Sequence, residues 1–282
     1  MPPWPRSTRQ QSAQVTRARA GLAALLVLAL GSALPALRQL SRDAGEIALA
    51  APAAADPVIE AVLDGVDIER ALEDARRLSG EVPLCLGEDC ATLHNRVTGS
   101  TDLERAVDWL IEESEDLGYA VSVAGWQGQN RSGRHVFARR EGLITPTAEI
   151  WYVAHVDGVA GCPEGRCPAA DDNASGAVAG LELLRALADH PSAYTLVVMF
   201  TTGEEQNVLG VESWLETVPQ AELDRIRALI NADMIGWDGD GDRVMELYHG
   251  DEAPSIRLAE AMSATLALYT PMLRPRINPG CG

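Results

Sequence analysis

No lysine occurs in the 282 residues: all 23 bases are arginine, and 41 acids oppose them. The resulting formal charge of −18 excludes a partnership with nucleic acid, whose phosphates repel such a chain. Residues 1–50 hold six arginines and two acids, so residues 51–282 carry 17 bases against 39 acids, or −22. A surplus of this kind attracts divalent cations, though it is more often a solubility feature; the missing lysine is read as genome composition. Aromatics are scarce at 5%, yet 46% hydrophobic and 23% charged residues exclude a collagen-like, low-complexity or disordered chain. No internal repeat is found. A chain this long buries roughly 75% of its unfolded surface, so any metal site serves chemistry rather than folding.

Also lacking is a second Cys or His pair at finger-like spacing from Cys85 and Cys90 or from Cys162 and Cys167. Each pair therefore reads as a local disulfide rather than a zinc knuckle, and Cys281 is left over. The N-terminus supports an oxidising destination. Arg6, Arg9, Arg17 and Arg19 precede an apolar run from Gly21 to Leu37, broken only by Ser32, and small residues follow at Ala48-Leu49-Ala50. This is the charged and apolar pattern of a secretory signal. The run is near the lower limit for a membrane span, so a retained anchor is the second reading of residues 1–50, and the only one that implies a membrane contact. No paired arginine and no cysteine near the cleavage region point to twin-arginine export or lipid attachment. The expected location is secreted or periplasmic.

Residues 51–95 read as a helical lead-in, with one or two amphipathic helices over 57–80 and a loop at Pro83 and the first cysteine pair. Residues 96–282 read as one catalytic domain. Thr101-x-x-Glu104 has the form of a capping box ahead of a helix that Gly118 stops. Strands are expected at 119–124, 135–139, 149–154, 194–200, 228–232 and 244–248, with helices over 174–190, 208–217 and 254–266. This alternation predicts an α/β three-layer sandwich whose mixed, largely parallel central sheet is flanked by helices. In such sheets ligands gather beyond the carboxyl ends of the strands.

Four strand ends carry metal-ligand chemistry. They are His155-Val156-Asp157, Asp171-Asp172-Asn173 before a helix, Gly203-Glu204-Glu205, and Asp233-Met234. Singly, each is more often a surface histidine, a helix cap or a solvated turn. Four in succession at one rim point to a metal site. Imidazole and carboxylate together hold a divalent ion with positions open for water and substrate, and a bridging carboxylate can join two ions roughly 3.5–4 Å apart. Asp157, two residues beyond His155, can hold its other ring nitrogen. Of the two glutamates, one can bind metal while the other acts as general base.

The stretches Arg96-Val97-Thr98-Gly99-Ser100, Ala154-His155-Val156-Asp157, Ala170-Asp171-Asp172-Asn173-Ala174-Ser175-Gly176, Gly203-Glu204-Glu205 and Asn231-Ala232-Asp233-Met234 resemble the co-catalytic di-zinc exopeptidases, metallopeptidase family twenty-eight. That family includes bacterial leucyl aminopeptidase and glutamate carboxypeptidase, with glutaminyl cyclase on a one-zinc variant. The resemblance implies a phosphorylase/hydrolase-like exopeptidase fold and two zinc ions. His155 and Asp233 would hold one ion, Glu205 would help hold the other, and Asp172 would bridge them with a cis peptide after it. Asp157 would orient His155, and Glu204 would be the base that draws a proton from metal-held water. The expected activity is an exported aminopeptidase acting on peptide or protein substrates; cyclisation of glutaminyl peptides, carboxypeptidase action and a non-catalytic binding module are the rival readings.

The chain departs from the family pattern in lacking a Ser-Asp-His after Asp233; His249 follows a short strand and comes too early. The second zinc site is therefore incomplete, with low activity to match, and the chain is expected to be a fragment or truncated frame. The oxygen-rich ligands would also accept cobalt or manganese. Asp238-Gly-Asp240-Gly-Asp242 reads as a polar turn because Arg243 replaces the glycine of a calcium loop, and Asn130 and Asn173 stand in glycosylation sequons. Trp109, Trp126, Trp151, Trp214 and Trp237 read as core or cleft wall, with Trp237, just past Asp233, the candidate pocket residue.

Overall fold

The computed structural model describes residues 54–280; the signal or anchor expected over 1–50 and the unpaired Cys281 lie outside them. Contacts divide the chain into two compact units, Asp67–Met234 and a smaller one formed by the residues up to Val66 with those from Ile235 onward. The smaller unit begins with α1 (Pro57–Asp64), capped by the Asp56 carboxylate, which accepts from the Val58 N–H at 2.8 Å.

In the larger unit α2 (Ile68–Leu78) starts at a second aspartate cap, Asp67, so the amphipathic stretch resolves into two helices. The first cysteine pair closes a hairpin, β1 (Leu84–Leu86) with β2 (Asp89–Ala91), through the Cys85–Cys90 disulfide. Helix α3 (Thr101–Asp116) corrects the expected capping box. Ser100, one residue earlier, accepts from the Leu103 N–H at 3.1 Å, and Glu104 pairs instead with Arg134 at 2.6 Å. The motif shifts because an adjacent serine competes for the same cap.

Strands β3 (Ala120–Gly128) and β4 (Arg131–Arg140) form a hairpin whose two turn residues, Gln129 and Asn130, both have positive φ, as its handedness demands. There follow β5 (Thr145–His155), α4 (Gly176–Leu187), β6 (Tyr194–Thr201), α5 (Leu209–Leu215), α6 (Gln220–Leu223) and β7 (Ile226–Asn231). They make one mixed sheet in the order β3-β4-β6-β5-β7, parallel from β6 through β5 to β7 and antiparallel from β3 to β6. The parallel strands β5 and β6 are apolar runs buried on both faces. Alternate residues serve the two faces. Trp151, Val197 and Met199 pack with Trp214 of α5, whereas Tyr152 and Phe200 close on Gly180 of α4. Leu181, Leu183, Leu184 and Leu187 of α4 are fully buried, each contributing roughly 1.5–3 kcal/mol of apolar burial. This gives the three-layer α/β sandwich.

The smaller unit continues with β8 (Val244–His249), α7 (Ala253–Tyr269) and β9 (Arg274–Pro279), the two strands pairing in parallel. Leu247, Leu266 and Leu273 form its core. Strand β9 is absent from the expected strands, since two prolines in six residues disguise it. Asp240 and Asp242 each accept from a backbone N–H two residues on, at 3.2 and 2.8 Å, as acids in a polar turn do. Among the described residues no helix is long and apolar enough to cross a membrane.

Candidate metal centre

The parallel strands end level with one another: His155, the last residue of β5, pairs with Thr201, the last of β6, and Val153 pairs with Asn231, the last of β7. The chain therefore leaves all three strands at one rim, carrying Asp157, Glu204 with Glu205, and Asp233. His155 Nε2 lies 3.1 Å from Asp172 Oδ1, 3.5 Å from Asp233 Oδ1 and 3.9 Å from Glu204 Oε2. One donor atom from each of His155, Asp172 and Asp233 lies within 4.8 Å of the others.

Asp172 arrives from the turn over Ala170–Ser175, with a cis peptide between Asp172 and Asn173. Asn173 fastens that turn. Its side chain donates to the Ala232 carbonyl at 2.8 Å and accepts from the Gly176 N–H at 2.9 Å, joining the loop of Asp172 to the residue before Asp233. A Cβ on Gly176 would overlap the Ala232 oxygen, so only glycine allows this approach. Fully buried and doubly bonded, Asn173 offers nothing to a glycan despite its sequon. At the neighbouring strand end Gly203, at φ 80°, turns the chain so that Glu204 and Glu205 follow β6 without a clash against Trp126.

Asp157 is fully buried. The contact to His155 Nδ1 comes from its backbone carbonyl at 3.1 Å; the carboxylate stands at 3.7 Å. The carboxylate instead accepts from Thr98 Oγ1 and from the N–H groups of Glu204 and Glu205, all at 3.2 Å. It therefore ties the β5 end to the glutamate turn. In the sequence Thr98 and Asn173 stand out only as parts of motifs; a side chain's bond to a distant loop leaves no local pattern.

The electrostatics follow from crowding. Burial disfavours a charged His155, but Asp157 and Asp233 outweigh it and push its pKa up to about 10. Burial also raises Glu204, against the opposing pull of His155. Glu205 is pushed up to about 7, first by burial and next by Asp172. His155 Nε2 and Glu205 Oε1 are buried with no hydrogen-bond partner. Such orphaned donor atoms among excess negative charge suit a divalent cation, and one nitrogen with several carboxylate oxygens suits zinc. Loading it would displace a proton from His155.

Glu205 stands outside the three-residue group, and among the described residues His94, His135, His190 and His249 do not join it. The second disulfide, Cys162–Cys167, closes the loop between Asp157 and Asp172. Trp237 is 55% exposed and belongs to the smaller unit.

The profile of peptidase family M28 matches residues 136–274. Leucine aminopeptidase 1 of Arthroderma otae is 26% identical over 205 residues, covering 68% of this chain and 55% of that protein. Leucine aminopeptidase 1 of Arthroderma gypseum is 29% identical over 159 residues, 52% of this chain and 42% of that one. The chain thus spans about half the length of the curated relatives it matches. A zinc aminopeptidase from Bacillus subtilis superposes with a TM-score of 0.59 at 13% identity, over 75% of this chain and 79% of that one; at such identity the likeness is one of fold.

Proposed function

Because the chain belongs to peptidase family M28, we propose that it is an exported zinc aminopeptidase that removes residues from the amino end of peptides. The observation that carries this reading is the convergence of His155, Asp172 and Asp233 around one point, with Glu204 beside them. His155, Asp172 and Asp233 would hold one zinc, and Asp172 with Glu205 would contribute to a second. Zinc, when bound, makes water more acidic and polarises a carbonyl. Glu204, raised by burial, takes a proton from the attacking water and returns it to the leaving amine. Asp157 holds the backbone of Glu204 and Glu205 in place while its carbonyl orients His155. Export is supported by two disulfides and by the sequence of residues 1–50.

One specific observation favours a second reading. A single complete donor trio would also serve the one-zinc chemistry of a glutaminyl cyclase. A cyclase from Macrostomum lignano has a similar fold, with a TM-score of 0.59 at 14% identity over 83% of this chain and 79% of that one. The zinc-loaded protein should release p-nitroaniline from leucine p-nitroanilide, lose that activity to a chelator and recover it with zinc. Cyclisation of Gln-peptides without p-nitroaniline release would replace the aminopeptidase reading with the cyclase one.

A further inference from the structure

Arg96 is completely buried, and among the described residues it makes no hydrogen bond to a carboxylate. Its guanidinium donates to backbone carbonyls: Nε to Val156 at 2.7 Å, Nη1 to Pro168 at 3.1 Å and to Leu78, and Nη2 to Ala169 at 2.8 Å. Those acceptors flank the centre. Val156 lies between His155 and Asp157. The Ala169 oxygen also accepts from the Ala174 N–H at 3.1 Å, closing the turn that contains Asp172, and the Gly158 N–H returns to the Arg96 carbonyl at 2.9 Å. One side chain thus fastens two of the segments that present ligands, those of His155 and Asp172, and it anchors them to Leu78 at the end of α2. Burial lowers its pKa to about 10, while Asp157 and Asp172 favour its charge, so it stays cationic near neutral pH.

We propose that Arg96 is a positioning residue that sets the loops of His155 and Asp172 at ligand distance before any metal arrives. This rests on the zinc reading above. A planar five-donor fork satisfies four carbonyls that no lysine could reach together. Without it the Val156, Pro168 and Leu78 oxygens would lose this donor, and the two loops would lose their common anchor.

The test compares Arg96→Lys with Arg185→Lys, a control at an arginine that pairs with Asp74, Glu113 and Glu182 among the helices, none of them a ligand of the centre. Both variants should be less stable in urea. Only Arg96→Lys should weaken zinc, by about tenfold or more in competition with a chelator, and change the intensity of the cobalt-substituted spectrum. Unchanged zinc affinity in Arg96→Lys, or equal weakening in both, overturns the proposal. Should Arg96→Lys fail to fold, hydrogen exchange of the metal-free natural protein decides: the Gly158 and Ala174 amides should be protected without zinc. Protection that develops only on adding zinc would show that the metal organises the loops and would overturn the proposal. Failure of the natural protein to bind zinc, with those amides protected, overturns the metal reading and leaves the preset loops standing.

Discussion

Two clusters of carboxylates in the larger unit, one buried and one partly exposed at the strand rim, are treated in opposite ways. Where α2, α3 and α4 meet, Glu182 and Asp74 are almost wholly buried, yet arginines surround them. Arg70 reaches Glu182 at 2.5 Å, and Arg185 reaches Asp74 at 2.5 Å, Glu113 at 2.6 Å and Glu182 at 3.3 Å. At the strand rim Asp172, Glu204 and Asp233 share one histidine as their ion-pair partner among the described residues. The first cluster is complete in itself. The second carries more negative charge than the protein neutralises, and it lacks what a divalent cation supplies. Charge that is balanced internally holds helices together; charge left unbalanced at a rim is available for a ligand.

The largest expected effect tests the unbalanced cluster. Glu204→Gln should lower turnover by on the order of 10²–10⁴-fold while zinc content stays the same, because the amide cannot accept the proton and is not needed to hold the ion. Without metal this variant should be no less stable than the natural protein, since one repelling charge has gone. A parallel loss of zinc would make Glu204 a ligand and reverse its division of labour with Glu205.

A change of the same kind in the balanced cluster should do the opposite. Glu182→Gln removes the buried charge that Arg70 and Arg185 share, while Arg185 keeps Asp74 and Glu113, and should cost roughly 1–3 kcal/mol in urea unfolding, with zinc affinity and pH profile unaltered. Equal stability of Glu182→Gln and the natural protein would break the contrast.

The two buried histidines sharpen it further. His155, among acids, is driven up, whereas burial drives His135 down to about 4. His135 sits between Trp126 and Trp214, and its Nδ1 accepts from the Thr202 N–H at 3.2 Å. An unfolded histidine binds a proton near pH 6.5, before the folded one does. The contribution of neutral His135 is therefore fully present above about pH 6.5 and is lost as pH falls toward 4, by at most about 3 kcal/mol. His135→Asn keeps an acceptor for the Thr202 N–H, and the acid slope of its stability should be shallower. An identical slope would assign the acid sensitivity elsewhere.

Much of the fold is legible in the sequence because its signals are local. Apolar runs mark β5 and β6, helical spacing marks α3 and α4, and two cysteine pairs five residues apart can close only short loops. Strand β9 is hidden because its prolines violate strand composition and its pairing with β8 is supplied from elsewhere in the chain. The cap of α3 is misplaced by one residue between adjacent hydroxyl side chains. In the centre, the acids and the histidine are legible as strand-end residues, and the cis peptide after Asp172 follows from the family resemblance. The duties of Arg96, Thr98 and Asn173 are not, for each acts on an atom 59 or more residues away.

From its residues alone, this protein is committed to an acidic α/β sandwich with ligand-bearing strand ends, because periodicity and residue chemistry act over a few positions. Only the tertiary structure decides which carboxylates are neutralised and which are left facing one histidine, and that Asp157 holds the glutamate turn by its side chain and His155 by its carbonyl. Those outcomes depend on which segments approach within hydrogen-bond distance, and that is settled by the packing of the whole sheet.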